Sequence, residues 1–478
     1  MQDSILIKTW SALSEPEKKM VEKAVRSPLV NNRPELLRLL NYIESNFSNS
    51  KPAVRKKAVA LPEKEAAFHY VFATQSKKSI NYDDGKMRHL MTYLMDVIKQ
   101  TFAWKEWQAD RDQVNLQLCR FLKKRGFDDL FEKEMQRSRA ELEKSDFKTD
   151  QYYLKKFNIE LEAWEVTRQR KRGGSENLGS INEAFGVYVA INILRQGCTL
   201  LAQKSIANIA MEVPFLQETL RLTESGIFKN NLAVEAWYAS YKALESPENV
   251  HFLKRLKQIL ETEATIFPDS DLRDFYVLAI NVCIRQINAG DKNYIQEAFD
   301  LYRGGLHHKV FLENGYLSKF TYRNILSTAM ALGEWDWALL YLKEFREFLM
   351  PREQENIYNY NLATYYFRSN NYDQALELLP ALELKDMLEN FDARRMMLRI
   401  YFERNEIQAL SSLLESFGIY LRRHREGGYH REMYQNLVKF MKKLISIPPN
   451  NKPALTKLEE TVRKTRYVAE REWLLSVM

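Results

Sequence analysis

The sequence predicts an all-α fold in which helical hairpins repeat and stack as a solenoid. Only 16 glycines and 13 prolines occur among 478 residues, roughly half their usual combined share of about 12%, so few turns interrupt the helices. Apolar residues recur at helical spacing along most of the chain. In the second half, alanines recur at intervals typical of repeated helix pairs, at Ala298, Ala338, Ala375 and Ala409.

The first part of the chain, residues 1–172, is predicted to form a separate helical domain. Ser14 and Glu17 have the spacing of a capping box, so a helix is expected to begin there and to run to about Arg26. A proline is tolerated in a first helical turn, and Pro34 is therefore expected to begin the next helix. These two helices are predicted to form a hairpin.

Breaks in the helical pattern predict the remaining organisation. Residues 46–60 are polar and basic, which favours an exposed loop or linker. The pattern ends at Arg172, just before two glycines, and we place the main domain boundary there. The repeats are expected to occupy residues 175–452, and residues 453–478 are expected to form one helix that caps the last repeat with a polar outer face.

The clearest repeated unit lies in residues 361–379. It is typical of two helices joined by a tight turn at residues 369–371, with Ala363 in the first helix and Ala375 in the second. Two helices approach closely only where the side chain between them is small, and the tyrosines and phenylalanine around these alanines can fill the space beside the contact. The unit is therefore predicted to be a closely packed helix pair.

This pattern resembles the tetratricopeptide repeat (TPR), which has a period of about 34 residues. The resemblance is best over residues 318–417. The sequence departs from the family pattern at Glu406, where an aromatic residue is usual, and at Leu326 and Met397, where a small residue is usual. The order of a helical domain followed by divergent repeats is also similar to bacterial repeat proteins of uncharacterised activity. The resemblance implies a protein- or peptide-binding scaffold or adaptor without catalysis, whose partner lies on the concave face of the solenoid.

The resemblance also implies which residues form this partner-binding groove. The first helix of each TPR lines the concave face, and its second and fifth positions correspond here to Phe320, Arg323, Ile357, Tyr360, Phe391 and Arg394. Aromatic rings provide contact area at low entropic cost, and arginine can bind a carboxylate through two hydrogen bonds. The alternative is that these side chains pack between neighbouring repeats, because a shift of one residue in register would exchange groove and core.

The charge distribution bears on a second hypothesis, binding of RNA or single-stranded nucleic acid. The net charge is +8, but residues 1–200, 201–400 and 401–478 carry +8, −5 and +5, so no basic stripe follows the whole chain as a phosphate backbone would require. Basic clusters near the chain ends keep the hypothesis open, although each equally suits a solvated loop or helix end. They are Lys51 with Arg55, Lys56 and Lys57; Arg168 with Arg170, Lys171 and Arg172; and Arg422, Arg423, His424 and Arg425 with Arg431.

The sequence carries no motif for catalysis or for binding a cofactor or metal. A phosphate loop, HExxH, GxGxxG and GxSxG are all absent from it, so we expect neither enzyme activity nor a cofactor. A helical enzyme with dispersed carboxylates stays open as an alternative and would show a deep pocket with perturbed acids. Gly304 and Gly305, before His307 and His308, are interpreted as the C-cap of a helix.

Cysteine usage and hydropathy predict a cytoplasmic protein. Cys119, Cys198 and Cys283 lie far apart and suggest no disulfide framework. The first thirty residues lack the apolar run of a secretory signal. The most apolar stretch, residues 184–194, is ended by Arg195 and is shorter than the roughly twenty residues of a membrane helix, so no membrane span is expected.

Overall fold

The structure, a computed structural model, describes residues 1, 3–47, 64–72, 81–170, 177–204, 211–424, 426, 428–448 and 450–478. In these ranges it has 23 α-helices and two strands of two residues each, which confirms the all-α class. The chain divides into two compact units: residues 1–145 with 154–184, and residues 146–153 with 185–478. The boundary predicted at 172–175 and most of the loop predicted at 46–60 lie outside the described residues.

The first unit is built from seven complete helices, most of an eighth and the start of a ninth. They are α1 (Ile5–Ala12), α2 (Glu15–Arg26), α3 (Pro34–Phe47), α4 (Lys64–Phe72), α5 (Asp84–Ala109), α6 (Arg111–Arg125), α7 (Asp128–Glu143), α8 (Asp150–Arg170) and α9 (Leu178–Lys204).

The beginning of the first unit follows its local sequence signals. The Glu17 carboxylate accepts hydrogen bonds from the backbone N–H of Ser14, at 2.8 Å, and from the Ser14 hydroxyl, at 2.7 Å. These bonds fix the start of α2, which ends at Arg26, and α3 begins at Pro34, as predicted. The apolar faces of α1 to α5 share one core, in which Trp10 and Phe68 are almost completely buried.

Ion pairs attach α8 to the two helices before it within the first unit. Glu162 on α8 accepts from Arg120 on α6, at 2.5 Å, and Glu160 accepts from Arg139 on α7 through two bonds of 2.8 Å. Burial raises the pKa of Glu160, but the hydrogen bonds from Arg139 and Asn177 outweigh burial and leave this pKa below its usual value. Both carboxylates are therefore held in their charged form.

The second unit contains residues 146–153, α9 from residue 185, and all later elements. These are α10 (Leu216–Glu224), α11 (Leu232–Glu245), α12 (Val250–Thr262), α13 (Asp269–Asn288), α14 (Tyr294–His307), β1 (Leu312–Glu313), β2 (Tyr316–Leu317), α15 (Lys319–Leu332), α16 (Trp335–Glu344), α17 (Gln354–Arg368), α18 (Tyr372–Leu378), α19 (Met387–Glu403), α20 (Ile407–Arg423), α21 (Gly428–Ser446), α22 (Lys452–Lys464) and α23 (Arg471–Ser476).

Consecutive helices of the second unit pack as pairs. Contacts join α11 to α12, α13 to α14, α15 to α16, α17 to α18 and α19 to α20, and each first helix from α15 to α19 also contacts the first helix of the next pair. The recurring alanines lie in the second helices, as the sequence predicted. Ala298, Ala338 and Ala375 are buried, whereas Ala409 is half-buried.

The pair formed by α17 and α18 has the packing that the small residues predict. Ala363 and Ala375 are both fully buried and share one cluster with Phe367, Met396 and other apolar side chains. Between the helices, Asn370 adopts a left-handed conformation with φ of 60°, which asparagine tolerates better than most residues. The turn predicted at residues 369–371 is therefore confirmed.

The end of α14 corrects one prediction and adds a feature that was missed. Gly304 and Gly305 lie inside the last helical turn, and the left-handed residue that ends the helix is Lys309, with φ of 57°. Gly305 is needed for space instead, because a Cβ there would lie 2.3 Å from the ring of Phe311. Shortly afterwards β1 and β2 form an antiparallel hairpin around Asn314 and Gly315, both with positive φ. The Asn-Gly pair is a strong hairpin signal that sequence reasoning overlooked.

The segment predicted as one C-terminal helix forms two, α22 and α23. Hydrogen bonds outside the helical pattern hold the connection between them. The Arg471 guanidinium donates to the carbonyls of Thr465 and Arg466, and the N–H of Ala469 donates to the carbonyl of Met433 on α21, at 3.2 Å. These tertiary bonds stabilise a bend that helical periodicity alone does not indicate.

Among the described helices, α9 is long and apolar enough to cross a membrane by length and composition. Its middle, however, carries Arg195, which pairs with Asp150 at 3.0 Å and with Asp271 at 3.1 Å. Ile191 and Cys198 on the same helix are buried in the core of the second unit. This part of α9 therefore packs in the core of the second unit, and 44% of the most apolar window of the helix is buried.

Candidate functional site

A cleft in the second unit lies between α15, α17 and the start of α19. Its volume is about 630 Å³, counting space open to solvent, and we call it the α15/α17 cleft. Three of the six predicted groove residues, Arg323, Ile357 and Tyr360, line it. The other lining residues are Lys319, Arg352, Glu353, Asn356, Asn361, Glu383, Leu384, Lys385, Asp386 and Glu389.

The other three predicted groove residues lie elsewhere. Phe320 is 54% exposed on α15, with the Arg323 guanidinium carbon 5.9 Å from its ring centroid. Phe391 is completely buried, and its ring centroid lies 5.4 Å from that of Tyr434. Arg394 is half-buried and packs over the ring of Tyr420, at 4.8 Å. The alternative interpretation, that these side chains pack between helices, therefore holds for Phe391, which has no exposed surface for a partner to contact.

Tyr360 forms part of the wall of the cleft. Its side chain is buried, and its hydroxyl donates to Oδ2 of Asp392 on α19, at 2.9 Å. Burial, and then the negative charge of Asp392, raise the pKa of Tyr360 well above its usual value. Tyr360 is therefore a neutral hydrogen-bond donor that is already used inside the protein.

Asn361 is the most unusual polar residue of the cleft. It is 2% exposed, and its Nδ2 donates to the carbonyl of Ile357 at 2.7 Å. Its Oδ1 is buried and has no hydrogen-bond partner. Leaving a buried acceptor unsatisfied costs about 1–3 kcal/mol, so an N–H or O–H donor that reached this atom would stabilise it.

The cations of the cleft differ in how they are neutralised. Lys319 pairs with Glu389 at 3.1 Å and with Asp386 at 3.5 Å, and these carboxylates raise its pKa although burial acts in the opposite direction. Arg323 is half-buried and makes no hydrogen bond or ion pair with any described residue. Its guanidinium is thus available to an acceptor in the cleft.

Asn356 shows how an amide side chain of α17 binds an extended backbone. Its Nδ2 donates to the carbonyl of Glu383 at 3.2 Å, and its Oδ1 accepts from the N–H of the same residue at 3.3 Å. This two-way contact holds residues 383–386 as one wall of the cleft. It also demonstrates that side chains on this helix can pair with main-chain groups.

Comparisons with models of protein families, with curated proteins and with solved structures found no match to this chain. The geometry of the cleft is therefore the basis for assigning a function.

Sequence reasoning missed the two asparagines of the cleft, Asn356 and Asn361. A signal was present, because asparagine is a poor helix former and α17 nevertheless contains several of them. In the sequence Asn361 directly follows Tyr360, but the sequence does not show that the Oδ1 atom of Asn361 is left without a partner. That property depends on which side chains of neighbouring helices surround it.

The basic clusters are only partly within the described residues. The cluster at Lys51 lies outside them, as do Lys171, Arg172 and Arg425. Arg168 packs over the Trp164 ring, at 5.0 Å, and Arg431 donates to the carbonyl of Leu421 at 2.7 Å. Arg422 and Arg423 are exposed at the end of α20.

The cysteines are poorly suited to nucleophilic chemistry. All three are buried and free. Burial raises the pKa of the Cys119 thiol to about 11 and that of Cys283 to about 12, and it also raises the pKa of Cys198. Because the thiolate is the reactive form, these thiols are inert at neutral pH. Within the described ranges, no group of three or more His, Cys, Asp or Glu side chains has the arrangement of a metal site.

Proposed function

We propose that this protein is a cytoplasmic scaffold or adaptor that binds another protein or a peptide segment in the α15/α17 cleft, without catalysis of its own. The observation that carries the proposal is that one cleft is lined both by Asn361, whose buried Oδ1 has no partner, and by Arg323, whose guanidinium makes no hydrogen bond or ion pair with a described residue. The unsatisfied Oδ1 atom is costly in the free protein, and the half-buried guanidinium can gain a charged hydrogen bond in a complex.

The partner is proposed to be a polypeptide because its backbone carries both groups that the cleft lacks. A main-chain N–H can donate to Asn361 Oδ1, and a carbonyl or carboxylate can accept from Arg323. The contact between Asn356 and the Glu383 backbone supports this reading, since it is the same kind of recognition within the chain. Half-buried Ile357 and exposed Phe320 add apolar area for a partner side chain.

We further propose that the helix pairs of the second unit stack as a TPR-like solenoid. Contacts of α15 with α17, of α17 with α19 and of α19 with α21 support this arrangement, because in a solenoid each first helix packs against the next first helix. Residues of α15, α17 and α19 would then line one continuous face, on which the cleft lies.

The test begins with peptides selected from a random displayed library by the full-length protein. Their affinities are then measured by calorimetry for the wild type and for Arg323→Ala and Asn361→Leu. We expect each variant to weaken binding by about tenfold or more, which is the effect of one lost charged or buried hydrogen bond. Arg303→Ala is the matched control, because Arg303 is exposed on α14 and outside the cleft, and it should bind like the wild type.

Two results would contradict the proposal. One is failure to select any peptide, and the other is selection of peptides whose affinity neither cleft variant changes. Binding of single-stranded RNA that falls by orders of magnitude between about 50 and 200 mM salt would instead favour the nucleic-acid hypothesis.

A further inference from the structure

A second cavity of the second unit lies at the end of α17, beside α19 and the residue that precedes α23. We call it the arginine cavity, because three guanidinium groups and only two carboxylates line it: Arg368, Arg395, Arg399, Asp392 and Glu470. The lining therefore carries one more positive than negative charge, and Glu403, which pairs with Arg399 at 2.8 Å, lies outside the lining. It lies outside the α15/α17 cleft, and the inference below does not depend on the proposed function.

Two of the three arginines are fixed in position. The guanidinium carbons of Arg395 and Arg399 lie 5.1 Å and 5.4 Å from the centroid of the Phe367 ring, which also lines the cavity. Arg395 donates through Nε to Asp392, at 2.8 Å, and through Nη1 to Glu470. Arg399 donates through Nη1 to the other oxygen of Glu470, at 3.0 Å. A carboxylate is thus already held by two of these guanidinium groups.

Each oxygen of the two carboxylates accepts a hydrogen bond in these contacts. Each Glu470 oxygen accepts from one arginine. Of the Asp392 oxygens, one accepts from Arg395 and the other from the Tyr360 hydroxyl. Both acids attract the charge of the third arginine, Arg368, but neither accepts a hydrogen bond from it.

Arg368, the third arginine, makes no hydrogen bond or ion pair with any described residue. It is the last residue of α17 and is exposed to solvent while lining the cavity. A guanidinium is always charged and presents a planar fork of donors that matches two oxygens of one anion. The cavity therefore has a free fork next to two guanidinium groups whose orientation is already set.

We propose that the arginine cavity binds an oxyanion, a phosphate or a carboxylate, through the guanidinium fork of Arg368. Arg395 and Arg399 line the same cavity, and Asp392, Glu470 and Glu403 hold their Nε and Nη1 groups in place. The bound anion gives the Arg368 guanidinium the hydrogen-bond acceptor that it does not have among the described residues. It needs no movement of Glu470, which keeps its contacts with both arginines.

The test is calorimetric titration of the full-length protein at low ionic strength with inorganic phosphate and, separately, with acetate. We expect Arg368→Gln to weaken binding by about tenfold, the loss of one bidentate charged contact. Arg303→Gln removes the same charge from an exposed arginine outside the cavity and should leave the affinity unchanged. Binding of phosphate but not of acetate would identify the ligand as a phosphate group. Binding of both anions would show that the cavity also accepts carboxylates.

Three results would overturn this proposal. The first is no binding of either anion by the wild type at concentrations up to about 10 mM, a range that covers weak single-anion sites. The second is unchanged affinity in Arg368→Gln, with circular dichroism showing that the variant is folded. The third is an equal loss of affinity in Arg303→Gln, which would indicate non-specific attraction of anions to positive charge.

Arg368→Lys keeps the positive charge but lacks the planar fork of donors. This variant should bind the anion more weakly than the wild type.

Discussion

The hydroxyl of Tyr360 donates a hydrogen bond to Oδ2 of Asp392 across 2.9 Å, joining α17 to α19. Tyr360 lines the α15/α17 cleft, and Asp392 lines the arginine cavity. This one bond therefore belongs to the walls of both proposed sites. Asp392 also accepts from Arg395, so the bond is part of a polar network that orients the arginines of the second cavity.

Tyr360→Phe is expected to lower the free energy of unfolding by about 1.5–3 kcal/mol, since a hydrogen bond to a charged acceptor is lost. Urea denaturation followed by circular dichroism measures this change. Tyr429→Phe is the control, because Tyr429 is 53% exposed and loss of its hydroxyl should change stability by less than about 0.5 kcal/mol. Equal effects of the two substitutions would show that the bond to Asp392 contributes nothing.

The stability that Asp392 provides should depend on pH. Burial raises its pKa, but Arg395 and the Tyr360 hydroxyl outweigh burial and hold the pKa below the ordinary value of 3.8. A carboxyl group whose pKa is lower in the folded state stabilises the fold above its unfolded-state pKa, and this contribution is lost as the pH falls through the folded-state pKa.

The experiment compares the free energies of unfolding of the wild type and Asp392→Asn from neutral pH to below 3.8. The wild type is expected to be more stable at neutral pH, and the difference should shrink in the acid range. A difference that stays constant across this range would mean that the charge of Asp392 is not what stabilises the fold.

Ala375→Leu is expected to destabilise the second unit by about 1–3 kcal/mol through overpacking. Ala375 is fully buried between apolar side chains of α17, α18 and α19, so added methyl groups must displace neighbours. Thermal unfolding should show a lower Tm. Ala331→Leu is the matched control on an exposed position of α15, and a Tm loss as large as that of Ala375→Leu would refute close packing at Ala375.

Gly305→Ala should destabilise the protein by about 1–3 kcal/mol, because the new Cβ would lie 2.3 Å from the Phe311 ring. Gly186→Ala on α9 is the opposite case. The nearest atom to its Cβ would be a Phe228 ring carbon at 3.8 Å, so alanine should stabilise the helix by about 0.5–1 kcal/mol. Chemical denaturation of both variants measures the change in the free energy of unfolding. We expect a decrease for Gly305→Ala and an increase for Gly186→Ala, and two changes of the same sign would contradict this explanation.

Local signals in the sequence predicted the features that depend on neighbouring residues. The capping contact between Ser14 and Glu17, the helix start at Pro34 and the turn around Asn370 each involve groups a few residues apart. The hairpin at Asn314 also had a local signal, although it was overlooked. Local chemistry is sufficient in these cases because the backbone conformation of a short segment determines the contact.

The predicted groove residues do not all lie together. Arg323, Ile357 and Tyr360 lie together in one cleft, whereas Phe391 is completely buried. Their positions in the TPR pattern predicted that all of them line the partner-binding groove. These positions do not show that α20 and α21 cover the face of α19 that bears Phe391, where the rings of Phe417 and Tyr434 pack against it.

The amino-acid sequence by itself determined that this chain is helical, where many helices begin and end, and which small residues the helices pack around. Tertiary structure decided which polar groups are left without partners, as at Asn361 and Arg368. The physical reason is that helical periodicity specifies which side chains share a face, while the neighbour that this face meets depends on packing between segments far apart in the chain.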